Sequence, residues 1–116
     1  MNIEELRDFC LALPFVEEKF PFDETTLVFY VGGKLFALCS LETADSVNLK
    51  CDPERAIELR ERYMGIVPGW HMNKKHWNTV HLRSDVPESL VHDMIRDSYG
   101  LVVAKLPQKE RSKDIK

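Results

Sequence analysis

The longest apolar runs in this sequence fall far short of the 18 or more residues that a membrane span needs. Cysteine is scarce. Cys10, Cys39 and Cys51 form an odd set without Cys-x-x-Cys spacing, which excludes a disulfide framework and a zinc knuckle. Only Gly32-Gly33 are adjacent among five glycines, so there is no glycine-rich phosphate loop. Neither a Gly-x-Ser-x-Gly elbow nor a Cys-Gly-type nucleophile signature occurs, and the reading is non-enzymatic, with no cofactor. The opening Met1-Asn2-Ile3-Glu4-Glu5 lacks the basic-then-apolar layout of a signal peptide, so a cytoplasmic protein is expected. A net charge of −3 argues against a bulk polyanion binder.

What is present describes an ordinary folded protein. With 44% hydrophobic and 30% charged residues over 116 positions, the chain has the size and composition of one domain. That domain is expected over residues 1–106, followed by a basic, loose tail over 107–116. A monomer is favoured, with a dimer left open. Charge is unevenly spread: residues 1–64 carry 7 basic and 13 acidic side chains, residues 65–116 carry 9 and 6. Such asymmetry either marks a basic face or disappears when the halves fold together.

Hydrophobic spacing sets the elements. Asn2 and Glu5 have a capping-box layout ahead of Ile3, Leu6, Phe9, Cys10 and Leu13 at helical spacing, and Pro14 ends that helix. Val16–Phe20 is a candidate short strand. Thr25–Val31 and Lys34–Ser40 are rich in β-branched and aromatic residues and flank Gly32-Gly33, a pair suited to a tight hairpin. Ser46–Cys51 alternates as a half-buried strand does. Asp52-Pro53-Glu54 starts a second helix running to about Met64, where Gly65 stops it. Two strands are expected around an Asn73-Lys74-Lys75 turn, with Trp77, Thr79 and His81 on one face of the second and Val80 and Leu82 on the other. A last helix begins near Asp85-Val86-Pro87-Glu88 and turns Leu90, Met94, Ile95 and Ser98 inward; Gly100 weakens it. Three or four early strands, two late ones and three helices point to an antiparallel sheet with helices packed on it. Cys10 on its helical stripe and Cys39 in Leu35-Phe36-Ala37-Leu38-Cys39 read as reduced, structural thiols.

Chemistry concentrates in residues 66–84. His71, His76 and His81 tempt a metal reading, but a spacing of five throws successive histidines onto opposite faces of a strand, so no metal site is expected. Lys74, Lys75 and Arg83 stand near Trp70, Trp77, Asn73 and Asn78, the mixture of cations, flat rings and amides that nucleic-acid surfaces use. The plain alternative is that the tryptophans fill core and the lysines sit on a solvated turn.

The segment Pro68-Gly69-Trp70-His71-Met72-Asn73-Lys74-Lys75-His76-Trp77-Asn78-Thr79-Val80, with Ser98-Tyr99-Gly100-Leu101-Val102-Val103-Ala104-Lys105-Leu106-Pro107, resembles the MmcQ/YjbR-like family of small bacterial proteins. The Asp52-Pro53 helix start and Phe20-Pro21-Phe22 extend the likeness over nearly the whole chain. The resemblance implies an α+β two-layer sandwich of order αβββαββα with a five-stranded antiparallel sheet, similar to secretion chaperones and the CyaY-like group. It also implies a DNA-binding protein with a double-wing motif. On this chain phosphates would meet Lys74, Lys75, Arg83, Lys105 and Lys109, with His71, Asn73, His76, Trp77 and Asn78 forming the surface between. The competing expectations are a protein-interaction module resembling secretion chaperones and a small-ligand binder lined by Trp70 and Trp77.

Overall fold

Residues 1–107 of a computed structural model are described; residues 108–116, Lys109 among them, lie outside the described residues. Chain order is α1 (Ile3–Leu11), β1 (Val16–Lys19), β2 (Thr26–Val31), β3 (Lys34–Ser40), β4 (Ser46–Lys50), α2 (Pro53–Arg62), β5 (Ile66–Pro68), β6 (Trp77–His81) and α3 (Glu88–Ala104). All neighbouring strands pair antiparallel in the order β1-β2-β3-β4-β6-β5. The α+β two-layer architecture is as expected, but the sheet has six strands instead of five. The extra strand is β1, a four-residue edge pairing Val16 with Val31 through Lys19 with Val28. Its burial is only partial, and an Arg7–Glu18 ion pair ties it to α1, with Arg7 Nε 2.6 Å from Glu18 Oε1.

Local chemistry explains the element ends. Both hydrogen bonds of the Asn2/Glu5 capping box form at the start of α1. Gly32 and Gly33 have φ of +58° and +78°, the left-handed pair that a two-residue hairpin requires. α2 begins on the Asp52 cap with Pro53 in its first turn, and ends at an extended Tyr63, two residues ahead of Gly65. There Asp85 takes over, accepting 2.8 Å hydrogen bonds from the Met64 and Gly65 backbone N–H groups. α3 runs unbroken through Gly100, which is exposed, so the glycine costs propensity without opening a gap in the packing.

The helices share one face of the sheet. Leu6 and Cys10 of α1, Ala56 and Leu59 of α2, and Val91, Met94, Ile95, Tyr99 and Val102 of α3 join a single cluster with Phe29, Phe36, Val47, Leu49, Ile66 and Val80. Burying each large apolar side chain contributes about 1.5–3 kcal/mol before entropy is counted. Within it Phe36 sits 6.5 Å from the Phe29 ring and 5.4 Å, edge-on, from that of Tyr99. Cys10, Cys39 and Cys51 are free and buried, and burial pushes their thiols up to about 12, 11 and 11. Neutral thiols at those values are poor nucleophiles, which fits a structural role. Among the described residues no helix is long and apolar enough to cross a membrane.

Three carboxyls are held below their ordinary range: Glu18 by its hydrogen bond to Arg7, Asp23 by the Thr25 and Thr26 donors, and Asp85 by the Met64 and Gly65 N–H groups. A folded-state pKa lower than the unfolded one gives stability that is present above the unfolded value and lost as pH falls through the folded one. The urea midpoint should therefore be lower at pH 3 than at pH 6, and Asp85→Asn should narrow that gap. An equal midpoint at both pH values would contradict the assignment.

Candidate functional site

The connection from β5 to β6, residues 69–76, carries most of the motif, and its shape is set by four tethers. Gly69 N–H donates to Trp77 O at 2.8 Å, and a Cβ on Gly69 would lie 2.7 Å from the Trp77 Cβ. Only glycine lets the two backbones approach so closely. Trp70 N–H donates to Thr79 Oγ1 at 2.9 Å, while Thr79 Oγ1 in turn donates to Asn48 Oδ1. Asn48 Nδ2 reaches the Trp70 carbonyl at 3.4 Å, completing a polar network between β4, β6 and the connection. These bonds fold Trp70 back over the helix-free face of the sheet, and His71 takes a left-handed φ of 60° to make the turn.

The remainder of the connection is a lysine-bearing tip. Asn73 Oδ1 accepts from Lys75 N–H at 2.9 Å, and Asn73 O accepts from His76 N–H at 3.2 Å. Lys74 and Lys75 are exposed, although Lys74 Nζ also contacts Gly69 O at 3.3 Å. Lys50, at the end of β4, stands directly opposite Trp77 at the start of β6. Burial and the neighbouring Lys105 ammonium both hold the Lys50 ammonium below its ordinary value. Lys50, Lys74, Lys75 and Lys105 thus gather at one end of the sheet, the end that also carries the Gly32-Gly33 turn and Lys34.

The ten residues singled out from the sequence do not form one surface. Trp77 and Asn78 are buried. Asn78 points to the helix side, where its Nδ2 donates to Ala56 O at 3.3 Å, because strand alternation sets it on the same face as Val80. Arg83 lies beyond the other end of β6, and five strand residues at about 3.3 Å each separate it from the lysines by roughly 16 Å. There it lines a second hollow with His81, Asp85 and Met64. Asn73 serves its own turn. Lys74, Lys75 and His76 follow one another at the tip, His71 turns onto the groove face, Lys105 stands by Lys50 at the end of α3, and Lys109 lies outside the described residues. Lys50 was missed because it sits 18 residues before the motif; its only sequence signal was a charge ending an alternating strand. The three motif histidines do not converge: His71 is on the folded-back turn, His76 precedes β6 and His81 ends it.

The sheet face opposite the helices carries a groove of about 830 Å³. Leu38, Asn48 and Thr79 form its floor, Phe22 and Trp70 flank it, and Glu42 and Asp45 of the β3–β4 turn close one end. Trp70 and Phe22 are each 67% exposed, whereas Trp77 is buried and takes no part.

Comparison with known proteins agrees with this fold. The model of the YjbR family matches residues 11–101. The chain is 40% identical over 111 residues to the uncharacterized protein YbdF of Escherichia coli O157:H7, covering 95% of this chain and 91% of that one. It is 35% identical over 112 residues to the uncharacterized protein YjbR of Escherichia coli K12, covering 96% and 95%. The crystal structure of Deinococcus radiodurans protein DR2400, with a DUF419 domain, superposes with a TM-score of 0.88 at 42% identity, over 96% of this chain and 86% of that one. A Pseudomonas syringae protein solved by crystallography superposes with a TM-score of 0.75 at 28% identity, over 87% and 98%.

Proposed function

The chain belongs to the YjbR family, and from that premise we propose that it is a non-enzymatic DNA-binding protein of the cytoplasm whose phosphate contacts come from Lys50, Lys74, Lys75 and Lys105. The observation that carries this reading is the crowding of Lys105 on Lys50 beside the Lys74-Lys75 tip. Ammonium groups gathered at one end of a sheet favour an anion, and a row of them favours a polyanion.

Two loops at this end act as the wings: the Gly32-Gly33 hairpin with Lys34, and residues 69–76 with Lys74 and Lys75. Three strand spacings of about 4.8 Å put them roughly 14 Å apart. That is close to the width of the DNA major groove, about 12 Å, so the loops can straddle it. Phosphate contact without a base-reading side chain gives weak, sequence-tolerant binding.

The test is fluorescence anisotropy of a labelled duplex at rising salt. Four phosphate contacts predict a log–log slope of about −3.6 and an affinity loss of about 150-fold between 50 and 200 mM. The Lys74→Ala, Lys75→Ala double variant should halve that slope to about −1.8. A variant whose slope equals the parent's removes these lysines from the interface, and no binding at 20 mM salt removes the DNA reading altogether.

A further inference from the structure

The groove on the helix-free face is chemically unlike the lysine end. Its acidic and basic lining is three carboxylates, Asp23, Glu42 and Asp45, and two imidazoles, His71 and His81, with no lysine or arginine among the described residues. A polyanion is repelled from such a cleft, so DNA is not its ligand. The rest of the lining mixes serine, threonine and Asn48 side chains with the apolar Leu35, Leu38, Val67 and Met72, between the exposed rings of Phe22 and Trp70. The volume of about 830 Å³ lies within the range of small-molecule sites, roughly 300–1,000 Å³.

Two features show that the groove is held open. The Asn48–Thr79–Trp70 network fixes the wall that carries the indole. Asp23 is fixed on the opposite side by hydrogen bonds from Thr25 N–H at 2.9 Å and Thr26 N–H at 2.7 Å. The rim thus offers negative charge across the groove from the indole, which is exposed apart from the His71 ring 4.2 Å from it. Carboxylates attract a cation, and the exposed rings suit the apolar body that carries it.

We infer that this groove is a binding site for a small organic cation, a molecule with an apolar or aromatic body and one protonated amine or quaternary ammonium. The body lies on Leu38 and Val67 between Phe22 and Trp70, and the cationic head lies toward Glu42 and Asp45. The site is separate from the lysine end and does not depend on DNA binding.

The experiment uses the full chain, isotopically labelled, titrated at pH 7 with three probes of one shape: 4-phenylbutylamine, 4-phenylbutanol and 4-phenylbutyrate. Amide shifts are expected to cluster around residues 38–48, 67–72 and 79–81, with the amine binding about tenfold more tightly than the alcohol and the carboxylate weakest. Glu42→Gln with Asp45→Asn, both exposed positions, should abolish the preference for the amine while leaving alcohol binding unchanged. Trp70→Ala should weaken the amine and the alcohol alike. Carboxylate binding as tight as the amine, shifts centred elsewhere, or no shifts at millimolar amine would overturn the assignment. So would a basic, apolar peptide bound 100-fold more tightly than any amine, or the same shifts produced by raising protein concentration alone, since the occupant would then be a protein segment or a second copy.

Discussion

Phe36→Ala is expected to destabilise the protein by about 3–5 kcal/mol, enough to unfold a large fraction of a marginally stable domain. Phe36 has no exposed surface, and its ring lies between those of Phe29 and Tyr99, where β2, β3 and α3 meet. Truncation removes transfer free energy and leaves a cavity that surrounding strands, hydrogen-bonded on both sides, fill poorly. Phe36→Leu, which keeps most of the volume, should cost far less. Urea unfolding of the three proteins measures the difference, and a midpoint for the alanine variant within about 0.5 kcal/mol of the parent would show that the core is not centred there.

Ser98→Ala is expected to cost about 2–4 kcal/mol, a large loss for one oxygen atom in the middle of a helix. The regular β3–β4 register ends at Ala37 and Leu49, and just beyond it the Ser98 hydroxyl fills the gap. It donates to Phe36 O at 2.6 Å and accepts from Lys50 N–H at 2.9 Å, so it carries on a ladder that the strands no longer close themselves. Ser98 is fully buried, and alanine would leave both backbone groups without that partner and without water. Ser89→Ala, at an exposed position of the same helix, should stay within about 0.5 kcal/mol. Equal effects of the two changes would remove the bridging role. The same bond anchors the backbone of Lys50 near Lys105, so under the DNA-binding proposal Ser98→Ala should also lower the salt dependence of duplex binding in whatever fraction remains folded.

Much of the architecture was legible because it is written in short-range patterns. The capping box at Asn2 and Glu5, the left-handed Gly32-Gly33 pair and the Asp52-Pro53 start each depend on neighbours a few residues away, and each formed as expected. β1 was the ambiguous element, since its four residues, Val16 with Glu17, Glu18 and Lys19, carry almost no apolar alternation; its pairing with β2 decides it. The candidate site was less legible. Period-two alternation already set Asn78 on the face of Val80, a signal against surface contact that the composition of the motif masked. Nothing local separates Trp70 from Trp77: one is held over the open face by Asn48 and Thr79, the other is buried beside Lys50.

The sequence by itself determined the helices, the hairpin and, β1 apart, the inward face of the strands, because capping, turn geometry and side-chain periodicity act within a few residues. Only the tertiary structure decided which charges meet. Lys50 stands by Lys105, at the sheet end that carries Lys74 and Lys75, because β4 pairs with β6 and α3 packs across β3 and β4, while the five residues of β6 hold Arg83 away. The same placement of all three helices on one face leaves the opposite face open, where residues from 22 to 81 converge on one acidic, aromatic groove. Such convergence depends on strand order and helix packing, which periodicity does not encode.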